Sequence, residues 1–85
     1  MKFLHWEIQA DEGAVVRVEL DRQANVRLLD DSNFSAYRSG RRHRYQGGLM
    51  TRSPATIPVP HSGHWHVVVD VGGYGGRVAA SVSVI

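Results

Sequence analysis

No cysteine occurs among the 85 residues. That excludes disulfides, thiolate catalysis and thiolate metal ligation, and it removes the usual staple of small secreted folds. Lysine is nearly missing too: Lys2 stands alone against nine arginines. No uninterrupted apolar run exceeds three residues, as in Val67–Val69, so no segment is fit to cross a membrane as a helix. No apolar stripe keeps a 3.6-residue period for three turns, which argues against a helical bundle. No apolar stretch follows Lys2 as a leader would require, and with the missing cysteine this predicts a cytoplasmic protein without a membrane partner. Acid is absent from residues 32–69, which hold five arginines, Arg38, Arg41, Arg42, Arg44 and Arg52. Residues 1–31 carry seven acids and four bases, and the net charge of the chain is +2.

What is present reads as one folded domain over residues 1–85. Hydrophobic residues make up 42% and charged residues 21%, an ordinary globular balance. A chain of this length buries about 60–65% of its unfolded surface, so its core is thin and a surface site is expected rather than a deep one.

The apolar pattern has the period of two that a half-buried strand requires. Leu4, Trp6 and Ile8 share one face, with His5 and Glu7 opposite. Ala14, Val16, Val18 and Leu20 form a second strand, and Val26 and Leu28 point inward from a third over 25–30. Asp30 to Asn33 breaks that strand. Residues 33–42 read as a long loop with room for a single helical turn, because Phe34 and Tyr37 are three apart and Gly40 stops any helix. A short strand over 43–46 ends at Gly47-Gly48, and 49–52 is expected to pair with it. Residues 55–59, with prolines at 58 and 60, read as an edge strand. The strongest strand runs from His64 to Val71, with Trp65, Val67 and Val69 on one face. Gly72 to Gly76 reads as a hairpin loop leading to a last strand over 77–85. Seven or eight short strands predict an all-β fold, a compact antiparallel β-sandwich of jelly-roll type. Trp6 and Trp65 lie on inward parities and are expected in the core.

Two constellations carry possible chemistry. His64 and His66 point to one face of a strand, as a pair of metal ligands would, with Asp70 at the same parity. Asp70 lies about 20 Å from His64 along a regular strand, and no histidine follows His66, so no metal and no cofactor are expected. The segment from Arg38 to Tyr45 holds four arginines among Tyr37, His43 and Tyr45, a composition suited to anions or single-stranded nucleic acid. No nucleic-acid motif accompanies it, and pairing with Asp30, Asp31, Glu7 or Glu19 is the alternative. The glycine loop lacks the lysine and Ser/Thr of a phosphate-binding loop, and no Gly-x-Ser-x-Gly elbow is present.

An ordered set of short pieces resembles a known family. The pieces are Asn25-Val26-Arg27-Leu28-Leu29-Asp30, Asn33-Phe34, Tyr37, Gly40, His43-Arg44-Tyr45, Gly47-Gly48 and Ser53-Pro54. Pro60-His61-Ser62-Gly63-His64-Trp65 and Val67-Val68-Val69-Asp70 complete it. Over nearly the whole chain they resemble the bacterial domain of unknown function 1883, whose members stand alone or are fused to TIR-type signalling domains. The middle pattern is more loosely similar to accessory jelly-roll modules of pre-peptidase type. The resemblance implies a β-sandwich with an accessory or recognition role, and it brings no catalytic residue.

The expectation is therefore a non-catalytic recognition or protein-interaction module, not an enzyme, contacting a protein or anionic ligand through Tyr37, Arg41, Arg42, Arg44 and Tyr45. A nucleotide or nucleic-acid binder using the same segment is the alternative. A metal-dependent enzyme using His64 and His66 comes third, and homo-oligomers through edge strands are open to the fold.

Overall fold

The computed structural model describes residues 3–72 and 76–85. Seven strands and one helix follow in the order β1 Leu4–Ala10, β2 Val15–Leu20, β3 Ala24–Leu29, α1 Asp31–Arg38, β4 Gln46–Met50, β5 Ala55–Pro58, β6 Gly63–Asp70 and β7 Ala80–Val84. They build two antiparallel sheets, one ordered β1-β6-β3-β4 and the other β5-β2-β7. This is an all-β sandwich, and the two sheets bury a shared core of Val16, Val18, Val26, Leu28, Trp65, Val67 and Val69. Trp65 is 4% exposed, and Trp6 packs against the same cluster. Among the described residues no helix is long and apolar enough to cross a membrane.

The strands form where period-two alternation gives each one an apolar face. β6 is the exception that organises the molecule, because its last six residues are all buried. Trp65, Val67 and Val69 face the sandwich core, whereas Val68 joins Leu29, Phe34 and Tyr37 in a second cluster, with Phe3 packed against it. That second cluster lies on the outer face of the four-stranded sheet, under α1.

Here the structure corrects the sequence reading: residues 31–38 form a two-turn helix, not a loop with a single turn. The Asp30 carboxylate caps it by accepting from the Asn33 N–H at 2.9 Å. Asp31 sits in the first turn and Arg38 in the last, each on the side the helix dipole favours. The same Asp30–Asn33 segment that breaks β3 therefore starts the helix. Gly40, at φ +72°, lets the chain leave it.

Two further expectations shift. The strand placed at 43–46 begins only at Gln46, runs through Gly47-Gly48 and pairs with β3 rather than with 49–52. Gly72 to Gly76 does not close a hairpin: β6 pairs with β1 and β3, while β7 pairs with β2 in the other sheet. The middle of that loop, residues 73–75, lies outside the described residues.

Candidate functional site

Polar side chains that alternate with the core residues of β1, β3 and β6 all emerge on the face that carries α1. Antiparallel pairing sets Glu7 opposite His66, and His66 opposite Leu29 on its other side. His5 lies one step along β1, opposite Val68. The N-terminal turn of α1 brings Asp31 over this patch.

The result is a cluster of three imidazoles and two carboxylates. His66 Nε2 lies 2.6 Å from Asp31 Oδ1, and His66 Nδ1 lies 2.8 Å from His5 Nε2. His64 turns one nitrogen to each acid: Nδ1 is 2.8 Å from Asp31 Oδ1, and Nε2 is 3.3 Å from a Glu7 oxygen. A carboxylate only accepts, so the two hydrogen bonds to Asp31 require hydrogen on His66 Nε2 and His64 Nδ1. His66 therefore donates to Asp31 through Nε2 and accepts from His5 through Nδ1. Phe34 stacks on both rings, with centroids 4.2 Å from each, and so covers the pair on the helix side. Burial, and then the neighbouring His66, push the His5 imidazole below its ordinary value. Hydrogen bonds from His66 and then His64 hold the Asp31 carboxyl below the usual range.

A second polar group lies at the other end of β6. Asp70, 3% exposed, accepts from Arg27 at 2.6 Å, Tyr37 Oη at 2.8 Å, Asn25 Nδ2 at 3.0 Å and the Gly72 N–H at 2.8 Å. Burial alone would raise its carboxyl, but these donors outweigh burial and the net direction is down. Burial and the bond to Asp70 push the Tyr37 hydroxyl up. Arg27 also lies over the Tyr37 and Tyr45 rings, 5.4 and 5.0 Å from their centroids.

The residues singled out from the sequence are thus divided. Tyr37, expected at a contact surface, is instead buried at 2% exposure as a strut between α1 and Asp70. Its hydroxyl is what the buried carboxylate needs, and its ring fills the second core. Tyr45 is partly exposed but is held by Arg27 and lies beside His43. Arg41, Arg42 and Arg44 are exposed and form no ion pair among the described residues. Their possible partners are engaged elsewhere: Glu19 with Arg17, and Glu7 and Asp31 with the imidazoles. Their backbone is nonetheless anchored, by Arg41 N–H on the Ala36 carbonyl at 2.8 Å and Arg44 N–H on Asn33 Oδ1 at 2.8 Å. A groove beside the loop is lined by Asn33, Arg44, Tyr45, Gln46, His61 and Trp65.

His64 and His66 do share a face, and Asp70 stays remote from them with Arg27. The residues that complete the histidine cluster, His5, Glu7 and Asp31, were not linked to His64 and His66 from the sequence, where Glu7 and Asp31 were expected only as partners for the arginines. The only signal was that His5 and Glu7 have the outward parity of β1.

No curated protein and no solved structure matches the chain. The model of one family matches residues 1–85, its whole length. The chain belongs to that family, which is described as a domain of unknown function (DUF1883).

Proposed function

We propose that the domain is a non-catalytic binding module that recognises an acidic protein segment through the basic loop following α1. The observation that carries this reading is the exposure of Arg41, Arg42 and Arg44 without an ion-pair partner among the described residues. Three guanidinium groups are ready for bidentate contacts to carboxylates, and the anchored backbone leaves only their side chains to be ordered, at about 0.5–1.5 kcal/mol each.

The aromatic side chains favour a protein over a nucleic acid. Base stacking needs a free ring face. Tyr37 is buried, and Tyr45, 42% exposed, already has Arg27 over one face, so at most one face of one ring is open to a base. A net charge of +2 also supplies little of the electrostatic attraction that nucleic-acid binding relies on.

Fluorescence anisotropy with a labelled Asp/Glu-rich peptide and a labelled single-stranded oligonucleotide, both at ~0.15 M salt, tests the reading. The peptide should bind and Arg42→Glu should abolish binding with the fold unchanged. Peptide binding that is absent, or indifferent to Arg42→Glu, overturns the proposal. Tight oligonucleotide binding with a log–log salt slope of about −2, as expected for three neutralised phosphates at ~0.7 each, puts nucleic acid in its place.

A further inference from the structure

The histidine cluster is independent of the basic loop, and it sets a ring nitrogen of His64 against the Glu7 carboxylate with no hydrogen bond between them. Both nitrogens of His64 face carboxylate oxygens, Asp31 at 2.8 Å and Glu7 at 3.3 Å. Only the Asp31 contact is a hydrogen bond, so the single N–H of a neutral imidazole satisfies it from Nδ1 and leaves the Nε2 lone pair facing the Glu7 carboxylate. A divalent cation lodged between them would use both. Two carboxylates converging on imidazoles are also the donor set that first-row divalent ions prefer.

We propose that His64, His66 and Glu7 form a binding site for one divalent transition-metal ion of the zinc class, with Asp31 and His5 fixing the ligands. One donor atom from each of His64, His66 and Glu7 falls within 4.8 Å of the others. In a tetrahedral site with bonds of about 2.0–2.2 Å, neighbouring donors lie ~3.3–3.6 Å apart. The 3.3 Å between His64 Nε2 and Glu7 already has that spacing. Glu7 is 59% exposed and free to adjust, whereas the His66 side chain is 7% exposed and fixed by Phe34 and His5.

The supporting shell has the chemistry such sites use. Asp31 accepts the Nδ1–H of His64, which leaves His64 Nε2 with a lone pair for the ion. When His66 Nε2 turns its lone pair to the ion, its proton moves to Nδ1 and is donated to His5 Nε2, 2.8 Å away, while the proton His5 held there moves to its own Nδ1. Asp31 gives up its bond to His66 Nε2 but keeps the one to His64 Nδ1, and the fourth position is open to water. The expectation of no metal rested on the distance from His64 to Asp70 and on the lack of a histidine after His66. The structure supplies the carboxylates from β1 and α1 instead, so Asp70 is not required.

The test is calorimetric titration of untagged, chelator-stripped protein with zinc chloride, repeated with cobalt(II) to record its visible absorption. One zinc per chain, a tetrahedral cobalt spectrum and a raised melting temperature are expected. Removing a ligand by His64→Ala or Glu7→Gln should weaken zinc by at least the ~10–100-fold typical of losing an outer-shell partner. His61→Ala, at an exposed residue outside the cluster, should bind as the parent does. Glu7→Gln changes an exposed side chain without altering its size, so it keeps the test decisive should His64→Ala fail to fold. Absence of saturable uptake, or uptake unchanged by Glu7→Gln in folded protein, overturns the proposal.

Discussion

At the scale of single residues, the polar groups on the helix-bearing face are tied to named partners, apart from Arg27 Nε, which is buried without one, and their protonation links stability to pH. The His5 imidazole is held below its ordinary 6.5, so the unfolded chain binds a proton there before the folded one does. The stability this contributes is complete above that value and is lost as pH falls from about 6.5 towards the depressed folded value. Asp30, Asp31 and Asp70 are all held below 3.8, so their contribution is kept above that value and lost as pH falls beneath it. Urea unfolding across a pH series should therefore show an early decline on acidification that is absent in His5→Gln, and a second below pH 3.8. Tyr37→Phe keeps the ring but removes a donor from buried Asp70. It should cost about 1.5–3 kcal/mol, the range for hydrogen bonds to charged groups, read from the same urea curves.

Among the elements, α1 matters most to function because each of its ends serves a different polar feature. Its first turn brings Asp31 to the imidazoles, its buried face sets Phe34 and Tyr37 on the sheet, and its exit begins the arginine loop. The cap at Asp30 should be worth about 0.5–2 kcal/mol, so Asp30→Ala should lower the unfolding free energy from urea curves by that amount. The variant should also loosen Asp31 from His66, since both contacts depend on the same turn. β4 depends on Gly47 for a backbone reason: φ is +107°, and a Cβ there would run into the Val26 carbonyl oxygen. Gly47→Ala should destabilise by about 1–3 kcal/mol from backbone strain alone, measured by thermal melting.

Over the whole molecule, β6 is the shared wall of two cores. Trp65, Val67 and Val69 belong to the sandwich interior, and Val68 to the small core under α1. Trp65→Ala should cost about 3–5 kcal/mol, a large share of the ~5–15 kcal/mol that holds a typical domain, and should leave the variant partly unfolded by circular dichroism. The parent spectrum should be dominated by strand, with only a small helical contribution from the eight residues of α1. Because both cores meet at β6, loss of the inner one should also release the histidine cluster on its outer face.

Much of the fold was readable along the chain, because alternation is a local property that each strand carries in its own residues. The inward parity of Trp65, Val26 and Leu28, the edge position of β5 and the balance of strand over helix all follow from it. The helix was obscured because its capping pattern, Asp30 to Asn33, is also a strand-breaking pattern, and only packing of Phe34 and Tyr37 on the sheet decides between them. Tyr37 looked like a surface aromatic because nothing local indicates that Asp70, 33 residues away, needs its hydroxyl. His64 and His66 could be placed on one face by counting, but Glu7 and Asp31 reach them only through the β1–β6 register and the position of α1. Sequence by itself therefore determined the strands, their faces and the acid-free stretch of arginines. Tertiary structure alone decided which arginines stay unpaired and which carboxylates meet the imidazoles, because those contacts join residues that strand pairing, and not chain order, brings together.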